Sequence, residues 1–296
     1  MSTAGKLAAF AALVAAVFGG AAAVGAAVGP IDVGTSTSPH GGHDTGSTSV
    51  ADPPRGLAIA ADGYRLVLDT TTVAKGKPSS FGVEIVDDTG TPVTGFDELH
   101  TRPLHLIVLS RNMVDYLHLH PTMDDHGHWI AELPSLAPGS YRVFADFQPT
   151  GSANLTLGAD VAVPGVPPAV TIPAPSDAAT TDGYTVTMAG TPSTGDSELN
   201  FTVEVDGKVV QTDPYLGDAG HLVAIRGGDL AYLHVHPHDG DTTVAVTFTA
   251  EFPSAGTYRL FFDYSHDGTV RTASFTVDVA TGGGEADTMT THQEGH

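Results

Sequence analysis

Apolar and polar side chains alternate along most of this chain. After residue 30 the alternation comes in stretches of about five to seven residues, the period of a strand with one face buried. Turn residues separate the stretches: "KGKP", "DDTGTP", "DDHG" and "APGS" in the first half, and "DGK", "RGGD" and "HDGD" in the second. No stretch after residue 30 carries helical periodicity. Short strands at this spacing, about seven in each half, predict an all-β protein made of β-sandwiches.

The halves repeat each other. "GYRLVL" at 63–68 returns as "GYTVTM" at 183–188, and "FGVEIV" at 81–86 as "FTVEVD" at 201–206. "HLIVLSRNMVDYLHLHP" at 105–121 matches "HLVAIRGGDLAYLHVHP" at 221–237. "LAPGSYRVFADF" at 136–147 matches "FPSAGTYRLFFDY" at 252–264. Four blocks in the same order mean a duplicated domain. The Gly-x-Tyr elements at 139–141 and 256–258 are similar to the corner that opens a late strand of immunoglobulin-like sandwiches. Two tandem immunoglobulin-like sandwiches are therefore expected, at residues 56–164 and 177–280. A stiff Pro-rich spacer, 165–176, joins them. Residues 30–55 and 281–296 read as a disordered linker and tail, rich in Gly, Ser, Thr and Asp.

At the N-terminus, Lys6 precedes an uncharged apolar run from Leu7 to Val28. Residues 1–29 read either as a signal peptide or as a membrane anchor, because the run reaches the roughly 20 residues that span a bilayer. Either reading puts the rest of the chain outside the cytoplasm, secreted or anchored, with membrane contact only through this segment.

Composition narrows the chemistry. With 12 Lys and Arg against 34 Asp and Glu, the formal charge is −22, which repels phosphate backbones and argues against a nucleic-acid partner. There is no cysteine. Any metal site must use His, carboxylate, Met or backbone oxygen.

The repeated Tyr-Leu-His-x-His-Pro carries the candidate chemistry. In the first copy, 104–110 and 116–121 read as two strands of a hairpin. Alternation sends Leu117 and Leu119 one way, and His118 and His120 the other. Hairpin pairing sets His105 opposite His118 or His120, at a Cβ separation of about 5 Å. The second copy offers His221, His234 and His236 in the same way, and the first two histidines of each triad lie thirteen residues apart. One three-imidazole site on each repeat, suited to copper or zinc, is the expectation. Asp146 and Asp263 are candidates for a fourth ligand or for a carboxylate that orients an imidazole. Arg142 and Arg259 share that face and are candidates to pair with the aspartates. Met113 and Met123 flank the first triad, without counterparts in the second copy. The plainer alternative is structural: the histidines line an interface between the copies or cap a sheet.

Enzymatic readings find little support. The glutamate that cupins place shortly after His-x-His is missing, the next one being Glu132. No Gly-x-Ser-x-Gly elbow is present. A non-catalytic protein is expected. A tandem adhesive module, binding a protein or glycan through its loops, is the rival.

The N-terminal segment, the sandwich strands and the repeated motif together resemble secreted or membrane-anchored bacterial proteins akin to the YtkA-like and copper-resistance C-like β-sandwiches. The resemblance spans roughly residues 57–280. It implies an extracytoplasmic protein that buffers copper or zinc or passes it to a transporter or acceptor protein, copper being preferred. Copper-resistance C-like proteins carry a copper-ligating His at the mature N-terminus, and this chain has none in a defined position. The resemblance therefore transfers a fold and a theme, without a ligand set.

Overall fold

A computed structural model describes residues 54–233, 235–238 and 245–282, together with Gly5; for His236 it describes the backbone alone. The expected signal or anchor run, nearly all of the linker, the tail beyond Gly282, and His234 lie outside the described residues. Among the described residues no helix is long and apolar enough to cross a membrane.

The first repeat contains β1 (Ala60–Ala61), β2 (Tyr64–Leu68), β3 (Ser79–Val86), β4 (Phe96–Asp97), β5 (Leu104–Ser110), β6 (Tyr116–Leu119), β7 (Thr122–Met123), β8 (His128–Leu133), β9 (Gly139–Pro149) and β10 (Leu155–Val163). They form two sheets, ordered β1-β2-β3-β8-β7 and β10-β9-β5-β6, with β4 pairing β9. The second repeat contains β11 (Ala178–Thr181), β12 (Tyr184–Ala189), β13 (Gly195–Val205), β14 (Lys208–Val210), β15 (His221–Arg226), β16 (Tyr232–Leu233), β17 (Val235–Pro237), β18 (Val246–Phe252), β19 (Gly256–His266) and β20 (Thr269–Val279). Its sheets run β11-β12-β13-β18-β17, with β14 on β13, and β16-β15-β19-β20. The all-β, tandem-sandwich expectation holds.

Each sandwich buries one core between its two sheets. Phe81, Trp129, Leu106, Val143 and Phe147 fill the first. Phe201, Phe248, Phe262 and Tyr258 fill the second. Both repeats close with a tyrosine corner: Tyr141 donates its hydroxyl hydrogen to the Ala137 carbonyl at 2.9 Å, and Tyr258 to the Ser254 carbonyl at 2.8 Å. Gly139 and Gly256 open these corners at φ of 151° and 140°, a conformation that a side chain strains.

A third core joins the repeats, which belong to one compact unit. Along β5, Leu104, Leu106 and Val108 enter the first sandwich core, while Ile107 and Leu109 point the other way. Along β15, Leu222 and Ala224 face inward, and Val223 and Ile225 outward. The outward residues meet, with Phe144 and Met113 from the first repeat and Phe261, Tyr232 and Leu230 from the second. This core has quasi-twofold pairing, the self-complementary pattern of isologous contacts. Tyr116 stacks on Phe261 at 4.1 Å between ring centroids, and its counterpart Tyr232 lies 5.6 Å from Phe144. The Pro-rich connection does not hold the repeats apart. Ile172 packs on this third core, and Val170 accepts a hydrogen bond from Asn112 at 3.3 Å.

Candidate metal centre

Beside this apolar interface the outward face of β5 turns polar at His105. The pairing of β5 with β6 sets Ile107 opposite His118 and Leu106 opposite Leu119. Continued by one residue, the register brings His120 across from His105, and the two rings lie 5.1 Å apart. In the second repeat the outward residue at the start of β15 is His221, whose ring stacks on that of His105 at 5.4 Å with only 6° between planes. Docking the outward faces thus brings His105, His118 and His221 together. One ring nitrogen from each lies within 4.8 Å of the other two.

Hydrogen bonds set the tautomers of two rings. Nε2 of His105 is 2.8 Å from the Leu99 carbonyl, which only accepts, so Nε2 carries the proton and Nδ1 is bare. Nδ1 of His118 is 2.8 Å from Oδ2 of Asp263 and donates to that carboxylate. His118 Nε2 faces that bare nitrogen at 2.9 Å, a hydrogen bond where Nε2 carries a proton and an opposed pair of lone pairs where it does not. Opposed lone pairs at that distance repel unless a proton or a cation lies between them. Two nitrogens that each sit about 2.0–2.1 Å from one ion are separated by close to 3 Å. The donor set therefore fits a metal. A carboxylate–imidazole pair behind one ligand and a backbone carbonyl behind another are the usual outer supports of metal-bound histidines.

Two more ring nitrogens at the cluster are unpaired. Nδ1 of His221 and Nε2 of His120 are buried without a hydrogen-bond partner. Burial first, and the neighbouring His118 second, hold His105 down at about 4 and His120 at about 3. Burial likewise pushes His221 well below the ordinary imidazole value. Neutral imidazoles at neutral pH are ligation-competent.

Asp263 is 1% exposed. It accepts from His118, from the Tyr116 hydroxyl at 3.1 Å and from Thr272 at 2.5 Å. It therefore serves the other repeat's histidine, as an orienting carboxylate. Asp146 stands opposite His105 in the β5–β9 ladder, but its Oδ1 accepts from Asn154 at 3.0 Å and Thr156 at 2.8 Å. Neither arginine pairs with its neighbouring aspartate among the contacts described. Arg142 donates to the Gly56 and Leu57 carbonyls and to Asp160, and Arg259 to the Met113 carbonyl and Thr276.

Where one triad per repeat was expected, the triad that the described residues form draws on both repeats; of the second copy's set, His234 and the side chain of His236 lie outside them. In the second repeat the described pairing of β16 with β15 takes in Tyr232 and Leu233, and β17 pairs with β18 in the opposite sheet, setting His236 across from Thr249. Met113 sits in the apolar interface core rather than at the cluster.

Sequence reading underrated His100, which has no counterpart in the repeat. Its ring lies 5.2 Å from His221 and 6.1 Å from His105. The turn from Leu99 to Arg102 that carries it holds both His100 and Thr101 at positive φ, 47° and 64°. Non-glycine residues are strained there, and such strain gathers at functional sites. The turn also presents the Leu99 carbonyl to His105. The available signal was its place five residues before His105.

Two cavities adjoin the cluster. A cleft of about 750 Å³ on the first repeat is lined by Arg102, His118, His120, Met123 and Trp129, among others. A smaller one, about 70 Å³, lies between the repeats against His100, Asp146 and His221.

Fold and cluster together define a class: tandem β-sandwiches that share one buried imidazole cluster across their interface. The chain belongs to the family described as "Domain of unknown function (DUF8832)", whose profile matches residues 59–164 and again 179–281. No curated protein matches the chain. Among solved structures it is similar to a DUF4426 family protein from Pseudomonas aeruginosa PAO1, at 12% identity over 36% of this chain and 97% of that one, with a TM-score of 0.28. It is similar to the Escherichia coli adhesin FdeC at 17% identity and a TM-score of 0.25, covering 75% of this chain and 66% of the adhesin chain. Titin A168169 aligns at 11% identity over 72% of this chain and 95% of that one, with a TM-score of 0.20.

Proposed function

We propose that this chain binds a copper or zinc ion between its repeats, through His105, His118 and His221, with His120 beside them. The observation that carries the reading is the 2.9 Å approach of His105 Nδ1 and His118 Nε2, each ring having its other nitrogen committed as a donor. An all-imidazole set without thiolate favours copper(II) over zinc in intrinsic affinity. The chain's part is to hold neutral imidazoles, to orient His118 through Asp263 and to exclude water from the cluster. On this reading the role is to buffer the ion or hand it to a transporter or acceptor protein. The apolar run after Lys6 supports an extracytoplasmic setting.

A second reading has its own observation. The His118–Asp263 pair and the Tyr116–Asp263 bond cross the interface, so a proton in place of the ion makes the cluster a structural clasp. The chain is then a tandem adhesive module whose binding to a protein or glycan ignores metals.

Calorimetric titration of the full chain with Cu(II) and Zn(II), beside H118A and H221A, separates the readings. One ion per chain at micromolar affinity or better, lost in both variants, supports the shared site. Binding that persists in H221A but fails in H118A moves the site into the first repeat. Equal weak binding in all three proteins leaves the clasp reading.

A further inference from the structure

The metal reading leaves the cleft on the first repeat unexplained. It runs to the cluster itself, because His118 and His120 belong to both. The rings of these residues lie 4.7 Å apart, and each is about 5 Å from that of His105. Three nitrogen donors leave a fourth position open on a tetrahedral ion, the arrangement of sites that accept an outside ligand.

The charge around the cleft has an unexpected sign. In a chain of formal charge −22, the cleft wall next to His120 carries Arg102. This arginine is exposed, and no side-chain hydrogen bond or ion pair engages it among the described residues. It lies close enough to His120 to disfavour a positive charge there. A cation in that position opposes a bare metal ion and favours an anion. The rest of the wall says what kind. Phe96, Pro103, Leu119 and Met123 set apolar side chains beside the polar groups of Thr94, Thr122 and His120, a mixed wall suited to a molecule with one charged and one apolar end. Its volume, about 750 Å³, falls within the usual range for organic ligands and far exceeds the needs of an inorganic ion.

We infer that the cleft admits a small organic carboxylate, with its carboxylate between Arg102 and the open position of the metal and its apolar part against Leu119 and Met123. This rests on the metal reading and deepens it: the ion is held as a ternary complex with a low-molecular-weight carboxylate, the form in which it would be taken up or released. Arg102 offers the two parallel N–H groups that match a carboxylate. The turn that carries Arg102 also supplies the Leu99 carbonyl to His105, so the anion site and the metal ligand are positioned by one backbone element.

The test uses the full chain loaded with Co(II), whose visible bands are strong when four-coordinate and weak for ions on the His-bearing tails. Acetate, benzoate and inorganic phosphate are titrated in separately. The expected result is a saturable spectral shift, tighter for benzoate than for acetate or phosphate. In R102A the benzoate affinity falls roughly tenfold, in line with loss of a charge-assisted bond, while Co(II) affinity is unchanged and R102K recovers part of the loss. A Co(II) site whose spectrum no carboxylate moves overturns the inference and leaves the metal reading intact. A shift that is the same in R102A also overturns it. Phosphate binding as tightly as benzoate overturns the assignment to an organic ligand. Failure to bind Co(II) at all overturns the metal reading, and the inference with it.

Discussion

The two repeats carry the same motif and use it differently. In the first, β6 stays on β5 through Leu119, so His118 and His120 remain on the docking face. In the second, Tyr232 and Leu233 pair with β15, while Val235, the counterpart of Leu119, pairs with Ala250 in the opposite sheet. The aspartates diverge as well. Asp146 and Asp263 each face a threonine on the next strand, Thr156 and Thr272. Two residues before that threonine stands Asn154 in the first repeat, where it donates to Asp146, but Val270 in the second. Asp263 instead takes its further donors, His118 and Tyr116, from across the interface. Duplication copied the residues. Docking the copies face to face then gave each a different neighbour, and one shared cluster resulted.

The sharpest way to break this comparison is Asp263→Ala against Asp146→Ala. Loss of Asp263 leaves buried donors on His118, Tyr116 and Thr272 without their acceptor, and should cost about 3–5 kcal/mol in denaturant unfolding. Loss of Asp146, whose partners lie within its own repeat, should cost about 1–3 kcal/mol. Equal costs would mean that the cross-repeat bonds contribute nothing. The milder Asp263→Asn should lower metal affinity by about 10–100-fold through misoriented His118. The quasi-twofold core predicts similar losses of about 3–5 kcal/mol for Phe261→Ala and Phe144→Ala. A large effect at one and none at the other would show that a single repeat supplies the interface energy.

The pH dependence of the metal-free chain comes next. His105 and His120 are held at about 4 and about 3, while the unfolded chain titrates them near the ordinary 6.5. Between these values the unfolded state binds more protons, so stability is full above pH 6.5 and is lost as pH falls toward 4 and 3. Urea midpoints should fall across that window, and the fall should shrink in His105→Ala. The smallest effect is expected from Asn154→Val, which makes the first repeat resemble the second and should change stability by about 1 kcal/mol. It tests whether the aspartates differ through this position.

Much of the fold was legible in the sequence because strand alternation, turn residues and tyrosine corners act within a few residues of one another. Part of the site was legible too. His105 and His118 lie on one hairpin, whose register follows from alternation and loop length. That His221 meets the first repeat's histidines was not legible, because repeat logic groups it with its own repeat. His100 carried no periodic signal. One clue lay in "LHLIVLS" and "HLVAIR": apolar residues on both faces of a strand mark a strand buried on both sides, hence a docked outer face.

By itself the sequence determined two β-sandwiches, their duplicated strands and the histidines each presents on an outward face, since local periodicity sets which way a side chain points. Only the tertiary structure decided that the outward faces meet, that Asp263 serves His118, and that His221 completes the first repeat's cluster. Those choices depend on burying Ile107, Leu109, Val223, Ile225 and Phe261 against one another across more than a hundred residues of chain. No local pattern encodes which apolar face will cover which.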